Sequence, residues 1–402
     1  MSGHDCYICG GAPLAPVFDA GLQPIGNRFL ASPDAPETTY PLRIVQCAAC
    51  GMLQMREPFP AEALLPAYDW VTYSEPEAHL DELARVIRDL PGIGPGSVMA
   101  GVSFKDDTTL DRLTRLGIER RWRLDLREDL ELDWVHGGHG AETLQLYLTE
   151  PAARRIAARR GAADVLLVRH VAEHAYDPRE FFQALAALVT PGGYVVVEVP
   201  DCQRALDAGD PTTLWEEHTL YFTPGTFQQS LRLLGFETVF FRNYIYPFEN
   251  SLVAILRVAP PAGVDAAVAA EECARGAGFA ARLEARRTAF RQYLAHYRQT
   301  EGRIAMFGAG HLAVTFLTIM NAPGLIEFVV DDNPNKRGLY MPGSRLPIVG
   351  SDVLLAETDI KLCLLGLNPL SEQKVMDRQA AFVERGGVFK SIFPSSAVAL
   401  EL

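Results

Sequence analysis

The stretch that decides the fold of the middle of the chain is residues 164–200, DVLLVRHVAEHAYDPREFFQALAALVTPGGYVVVEVP. An apolar run over 164–169 is followed by a helix-forming segment that begins at Pro178. A Pro-Gly-Gly turn and a second apolar run over 193–200 come next. Strand, helix and strand in this order form a βαβ unit, in which the two strands lie parallel in one sheet. The sequence therefore predicts an α/β fold here.

The composition excludes several classes of protein. The chain has 402 residues, with 37 Lys and Arg against 50 Asp and Glu, so its formal net charge is −13. Such an acidic chain repels phosphate backbones, so we expect no nucleic-acid partner. No apolar run approaches the ~20 residues of a membrane span, and the first residues lack the plan of a signal peptide. We therefore expect a cytoplasmic protein without a membrane partner, while its oligomeric state stays open.

The same patterns divide the chain into four parts. Residues 1–73 are rich in Pro and Gly and too few to build a large core. Residues 74–258 hold the α/β pattern, and 259–302 read as a helical linker rich in Ala, Arg and Glu. Residues 303–402 begin with a new strand and a Gly-rich turn, so they predict a second, Rossmann-like α/β domain.

Four of the seven cysteines occur as two CxxC pairs, Cys6 with Cys9 and Cys47 with Cys50. Each CxxC turn can place two sulfurs on one ion, and two such turns complete a tetrahedral thiolate site. Four protein ligands leave no open position, so the predicted zinc is structural. Zinc binding in such peptides contributes roughly 10–16 kcal/mol to folding, enough to order a module of this size.

Three further segments contain residues of types that bind ligands or catalyse reactions. In the middle domain, Gly101 lies after a short apolar run, and Asp125 ends the second predicted strand, where an acid can bind ribose hydroxyls. Residues 215–222 read WEEHTLYF and concentrate polar and aromatic side chains. In the last domain, FGAGHLA over 307–313 is followed by an acid, Asp331, as in a dinucleotide fingerprint.

The double CxxC, the EH..YF segment and the C-terminal GxG unit ending in DDNPNKRG together resemble one family, the zinc-containing sugar C-methyltransferases. The resemblance covers almost the whole chain. It implies a central class I methyltransferase-like domain between a small zinc-binding module and a Rossmann-like domain. It also implies an S-adenosylmethionine-dependent C-methyltransferase that acts on a nucleotide-linked keto-deoxysugar.

The resemblance also assigns roles to residues. His218 corresponds to the general base of the family, and Tyr73 corresponds to a tyrosine of the active site. Glu217, directly before the base, is also an expected catalytic residue, because its carboxylate can orient the base or bind a sugar hydroxyl. Imidazole titrates near neutrality, which suits removal of a proton next to a ketone. Trp215 stands where the family has a tyrosine near the sugar. The further substrate contacts expected from the resemblance are Tyr221, Asn250, Asn333, Lys336 and Tyr340.

The cofactor segment departs from the family. A Gly-x-x-x-Gly turn is expected, but Gly101 is followed by SFKDD over 103–107, which has no second glycine. The expected cofactor contacts are Gly101, Ser103, Asp125 and His170. Either the loop is rebuilt around S-adenosylmethionine or the cofactor has been lost. The alternatives to methyl transfer are therefore a sugar-nucleotide epimerase or isomerase, and a binding protein without catalysis.

Overall fold

A computed structural model describes residues 5–65, 67–68, 75–132 and 141–402, with the backbone alone at 141–143. The strands are β1 (Leu14–Pro24), β2 (Thr39–Cys47), β3 (Leu53–Met55), β4 (Met99–Gly101), β5 (Arg121–Arg123), β6 (Ala163–Arg169), β7 (Val189–Asp201), β8 (Leu220–Tyr221), β9 (Phe236–Tyr244), β10 (Asn250–Val258), β11 (Arg303–Phe307), β12 (Val329–Val330), β13 (Ile348–Val349), β14 (Ile360–Leu365) and β15 (Val388–Ser391). The α-helices are α1 (Ala61–Leu64), α2 (Leu80–Arg88), α3 (Asp107–Arg115), α4 (Leu126–Leu130), α5 (Glu150–Arg160), α6 (Pro178–Leu188), α7 (Gln203–Ala208), α8 (Pro224–Leu233), α9 (Ala266–Thr300), α10 (His311–Met320), α11 (Val353–Ala356), α12 (Pro369–Arg378) and α13 (Ala380–Glu384).

The chain divides into two compact units. The first comprises the residues up to Pro16 together with Ile44–Gln203 and Glu217–Ala274. The second comprises Val17–Arg43, Arg204–Glu216 and Arg275–Leu402. The domain boundaries expected from the sequence remain predictions.

The first unit contains a six-stranded sheet in the order β5-β4-β6-β7-β10-β9. Strands β6 and β7 lie parallel with α6 between them in sequence, which confirms the predicted βαβ unit. Strands β4, β5 and β6 are also mutually parallel, whereas β10 is antiparallel to both β7 and β9. This is a class I methyltransferase-like α/β fold.

The sheet is buried on both faces, and the middle of its central strands is apolar on both sides. Along β6, Leu166 and Val168 pack into one apolar cluster with residues of α5 and α6. Val165 and Leu167 point the other way, into a second cluster with residues of α2 and α3. This alternation follows from the two-residue period of a strand and explains why both faces need helices.

The strand order creates a topological switch point. After β4 the chain goes to β5 on one side, and it later returns to β6 on the other side. In open α/β sheets, ligands bind beyond the carboxyl ends of the strands at such a point. Gly101 ends β4 and Arg169 ends β6, so their surroundings form the expected cofactor crevice.

The second unit contains a five-stranded, fully parallel sheet in the order β13-β12-β11-β14-β15. Strand β11 leads through the Gly308–Gly310 turn into α10, as the sequence predicts for a Rossmann-like unit. Within the described ranges, no helix combines the length and apolarity that a membrane span requires.

Candidate active site and metal site

The four paired cysteines converge on one point. The Sγ atoms of Cys6 and Cys50 lie 3.6 Å apart, as do those of Cys9 and Cys47. All four sulfur atoms lie within 4.8 Å of one another. A tetrahedron with Zn–S bonds of about 2.3 Å has sulfur–sulfur edges of about 3.8 Å. The site therefore fits a zinc ion held by four thiolates.

Both CxxC segments fold as tight turns that depend on glycine. The Gly10 N–H donates to the carbonyl of Cys6 over 2.9 Å, and the Gly51 N–H donates to that of Cys47 over 2.8 Å. Gly10 and Gly51 have φ angles of 68° and 77°, in the left-handed region that glycine adopts without strain. The glycine after each pair therefore lets the turn close around a metal ion.

The segment that carries His218 is fixed by backbone pairing. Strand β8 pairs antiparallel with β3, and the N–H of Met55 donates to the carbonyl of Thr219 over 2.9 Å. Thr219 in turn donates both its N–H and its hydroxyl to the carbonyl of Glu173, over 2.9 and 3.0 Å. These bonds hold His218 beside the short helical turn that carries His174.

His218 is a buried, neutral imidazole. Its ring meets that of His174 edge to face with centroids 4.9 Å apart, and the ring of Tyr221 lies 6.5 Å away. Burial, together with the nearby His174, lowers the pKa of His218 to about 3. The ring is thus uncharged at neutral pH and retains a lone pair that can accept a proton.

His174 and Glu173 complete this cluster. The Nδ1 of His174 lies 2.9 Å from the carbonyl oxygen of Glu217 and must donate to it, because a carbonyl only accepts. Glu173 is 1% exposed, and its Oε2 accepts no hydrogen bond from the described residues. Ligand atoms of Glu173, His174 and His218 lie within 4.8 Å of one another, so the cluster can hold a proton or a cation.

The first turn of the central sheet is closed by Asp106. Its Oδ2 accepts the N–H groups of Val102 and Ser103 over 2.8 and 2.9 Å, and its Oδ1 accepts that of Arg169 over 3.0 Å. Burial raises the pKa of Asp106 to about 7, against the opposing effect of these donors. The carboxylate thus takes the backbone donors that a ligand could use at this turn.

A network of charged side chains lies beyond the carboxyl ends of β4 and β6. Arg169 is 2% exposed, and its Nε lies 2.6 Å from Oε2 of Glu198. The Nζ of Lys105 lies 3.3 Å from Oε1 of Glu75 and 3.2 Å from the carbonyl oxygen of His170. Arg169 and Lys105 are thus each paired with a carboxylate, as a low-dielectric site requires.

His170 belongs to the same network. Its Nε2 lies 3.2 Å from Oε1 of Glu198, and its Nδ1 lies 3.5 Å from Oε1 of Glu173. Burial opposes the charged form, but Glu75 and the other two carboxylates outweigh it and raise the pKa of His170 to about 10. His170 is therefore a cation at neutral pH.

In this arrangement the carboxylates that could receive S-adenosylmethionine are paired with side chains of the protein. The cofactor carries a sulfonium and an ammonium cation. The carboxylates that could pair with them, Glu75, Glu198 and Glu173, already lie against Lys105, Arg169 and His170. The turn after Gly101 also has no second glycine that would let a ligand approach the backbone closely.

Other residues expected at the cofactor and substrate have structural partners. Asp125 is exposed and caps α4, where its Oδ1 accepts the N–H of Arg127 over 2.9 Å. Ser103 caps the following turn by accepting the N–H of Lys105 over 3.2 Å. Asn250 donates to Asp201 over 3.2 Å. Tyr73 lies outside the described residues.

In the second unit, Trp215 stacks on His311 with ring centroids 4.3 Å apart. The Nζ of Lys336 lies 3.1 Å from Oδ2 of Asp331 and 2.8 Å from the carbonyl oxygen of Ala309 in the GxG turn. Lys336 thus bridges the two parts of the predicted nucleotide fingerprint.

The backbone of this unit supports two of the expected substrate residues. Asn333 donates its N–H to Oδ1 of Asp331 over 2.8 Å. Tyr340 exchanges two backbone hydrogen bonds with Leu30, over 2.8 and 2.9 Å. Tyr221, by contrast, belongs to the first unit and is fully buried.

Sequence reasoning did not select Lys105, Arg169, Glu173, His174 or Glu198 as site residues. A signal existed for two of them, because Arg169 and Glu198 are charged residues within or at the end of otherwise apolar runs. A charge in a buried strand must be paired, so each of these residues predicts an oppositely charged partner nearby.

Family models match almost the entire chain in sequence. A model of a zinc binding domain matches residues 6–64, a methyltransferase domain matches 69–239, and a C-methyltransferase C-terminal domain matches 257–394. C-methyltransferase NovU of Streptomyces niveus is 25% identical, with 98% of this chain and 96% of that protein covered.

Solved structures are similar to part of this chain. A 1,6-didemethyltoxoflavin-N1-methyltransferase of Burkholderia thailandensis, solved with S-adenosylhomocysteine, is 14% identical with a TM-score of 0.31, covering 46% of this chain and 79% of that one. A SAM dependent methyltransferase of Aquifex aeolicus is 11% identical with a TM-score of 0.29, covering 45% and 93%. Neither score bears on function. The three matched domains follow one another along almost the whole chain, and the relative matches over its full length. This chain therefore belongs to the C-methyltransferases that carry an N-terminal zinc binding domain.

Proposed function

We propose that this protein is an S-adenosylmethionine-dependent C-methyltransferase that acts on a nucleotide-linked keto-deoxysugar, and that His218 removes the proton next to the ketone. The family membership supports methyl transfer to carbon. The observation that carries the proton-transfer step is the neutral, buried His218 held against His174 and within reach of Glu173.

The chemistry of His218 follows from its surroundings. A carbon next to a ketone loses a proton when a base takes it and the electron pair moves onto the carbonyl oxygen. A neutral imidazole can accept that proton, but burial disfavours the imidazolium that results. Glu173 raises the pKa of His218, so its carboxylate stabilises the imidazolium once the proton arrives. Glu173 is therefore a positioning and electrostatic partner of the base.

Other groups complete the proposed site. The carbonyl of Glu217 fixes the orientation of His174. Glu217 and Tyr73 are the two other predicted catalytic residues. S-adenosylmethionine supplies an electrophilic methyl group on a sulfonium, which a carbon nucleophile can take. Cys6, Cys9, Cys47 and Cys50 would hold a structural zinc, whose binding contributes to folding of the N-terminal module.

The test separates proton removal from methyl transfer. The purified protein is incubated in deuterated water with a thymidine-diphosphate-linked 4-keto-6-deoxysugar, with and without S-adenosylmethionine, and the sugar is analysed by NMR and mass spectrometry. We expect His218→Asn to lose both deuterium uptake and methylation while keeping its melting temperature. His296→Asn, an exposed histidine of α9, is the matched control and should retain both. Full turnover by His218→Asn would overturn the assignment of the base.

The charged crevice supports a second candidate function. If the sugar exchanges deuterium at the carbon next to the ketone and gains no methyl group, the same base serves an epimerase or isomerase. The observation that favours this candidate is the network of Lys105, Arg169 and Glu198 at the switch point. A sugar nucleotide that binds without exchange would instead indicate a binding protein.

A further inference from the structure

The carbonyl oxygen of His170 lies where the cofactor crevice is expected and can accept a hydrogen bond from a cation. It follows the last residue of β6, next to the switch point where ligands of such sheets bind. The ammonium group of Lys105 lies 3.2 Å from this oxygen and 3.3 Å from Oε1 of Glu75. A carbonyl and a carboxylate together form a site for one cation, and here a side chain of the protein occupies it.

The position of Lys105 is fixed by the turn that carries it. Asp106 holds the turn through the N–H groups of Val102 and Ser103. The Nη1 of Arg169 donates to the carbonyl of Lys105 over 2.6 Å. The Lys105 side chain is only 8% exposed, so it lies inside the crevice and not on the surface.

The sequence around Lys105 departs from a Gly-x-x-x-Gly turn. Gly101 and Lys105 stand in the register of the two glycines of a Gly-x-x-x-Gly turn. A glycine at the second position leaves space for a ligand against the backbone, whereas a lysine places a long, charged side chain there.

We infer that Lys105 competes with S-adenosylmethionine, because its ammonium group occupies the cation site that the His170 carbonyl and the Glu75 carboxylate form at the switch point. This inference rests on the proposed function. The cofactor brings cations into a crevice where Lys105 is held, and like charges at close range in a buried site repel strongly. Binding therefore requires Lys105 to leave the Glu75 carboxylate and the His170 carbonyl, and wild-type affinity is low.

The test is calorimetric titration of the zinc-loaded, full-length protein with S-adenosylmethionine. We expect Lys105→Ala and Lys105→Gln to bind at least tenfold more tightly than wild type. Gln keeps a donor for the carbonyl without the charge, so it covers the case in which Ala impairs folding. Lys105→Arg keeps the charge and should bind as weakly as wild type. Lys374→Ala, which removes an exposed lysine of α12, controls for net charge.

A neutral probe separates charge from space. Methylthioadenosine has neither the sulfonium nor the ammonium group, so its affinity should differ less than threefold between wild type and Lys105→Gln. Equal affinity of wild type and both neutral variants for S-adenosylmethionine would overturn the inference. Absence of binding by all of them would also overturn it, because the obstacle would then lie elsewhere in the crevice.

Analysis of the reaction product tests the proposed function independently of the binding measurement. Methylated sugar formed by a wild type that binds as tightly as Lys105→Gln would overturn the competition and leave methyl transfer intact. Tighter binding by Lys105→Gln without methylated product, on a folded protein that exchanges deuterium, would support the competition and overturn methyl transfer.

Discussion

The ring of His218 lies edge to face against the ring of His174, with centroids 4.9 Å apart. The two residues are 44 positions apart in sequence and meet because Thr219 bonds to the backbone of Glu173 and Ala175. His174 is oriented by the carbonyl of Glu217, the residue directly before His218. Each histidine is thus held by backbone next to the other, and single substitutions can test the properties of the pair.

The first prediction concerns the pKa of His218. After burial, His174 is the next cause that lowers it, so His174→Ala should raise the pKa of His218 from about 3 toward, but not up to, its usual value near 6.5. The measurement is an NMR titration of the His218 ring protons. His296→Ala serves as the control. An unchanged His218 pKa in His174→Ala would contradict the electrostatic coupling of the two rings.

The second prediction concerns stability at alkaline pH. The pKa of His170 rises from 6.5 to about 10 on folding, so the native state binds the proton more tightly than the unfolded state does. This stabilisation is complete below pH 6.5 and is lost as the pH rises through about 10. His170→Asn removes it, and asparagine tolerates the positive φ of 50° at this position.

Urea unfolding of wild type and His170→Asn at several pH values measures this effect. The difference in unfolding free energy between the two proteins should shrink steadily from pH 6.5 to pH 10, while wild type and His296→Asn stay parallel. A constant difference across this range would show that His170 is not charged in the folded protein.

The third prediction concerns the metal. Cys47→Ser should reduce bound zinc from about one ion per chain to near zero and lower the melting temperature, since zinc binding adds to folding. Metal content is measured by mass spectrometry of the purified protein. Cys363→Ala changes a buried cysteine of β14 in the second unit and should keep its zinc. Loss of zinc from both variants would contradict a site made by the paired cysteines.

The fourth prediction concerns the first turn of the sheet. Asp106→Asn replaces one acceptor oxygen by an NH₂ group, which faces backbone N–H groups that can only donate. We expect a loss of about 1–3 kcal/mol in unfolding free energy. Asp107→Asn, next in sequence and paired with Arg123 at the surface, should change it by less than about 1 kcal/mol. Equal effects of the two substitutions would argue against a structural role of the buried carboxylate.

The sequence by itself determined the elements that depend on local pattern. Apolar runs around a proline-started helix gave the parallel β6–α6–β7 unit, because strand and helix periods and turn residues act over short distances. The CxxC spacing likewise indicated a four-sulfur site, since each pair closes within its own turn. The Gly-rich turn after β11 is local in the same sense.

The tertiary structure alone decided which distant charges meet. Arg169 and Glu198 are Cα partners in the β6–β7 register, so sheet pairing sets their ion pair. Lys105 reaches the His170 carbonyl, and His174 reaches His218, only because separate loops end at the same edge of the sheet. Such contacts depend on strand register and order, which residues far apart in the chain fix jointly and no single segment encodes.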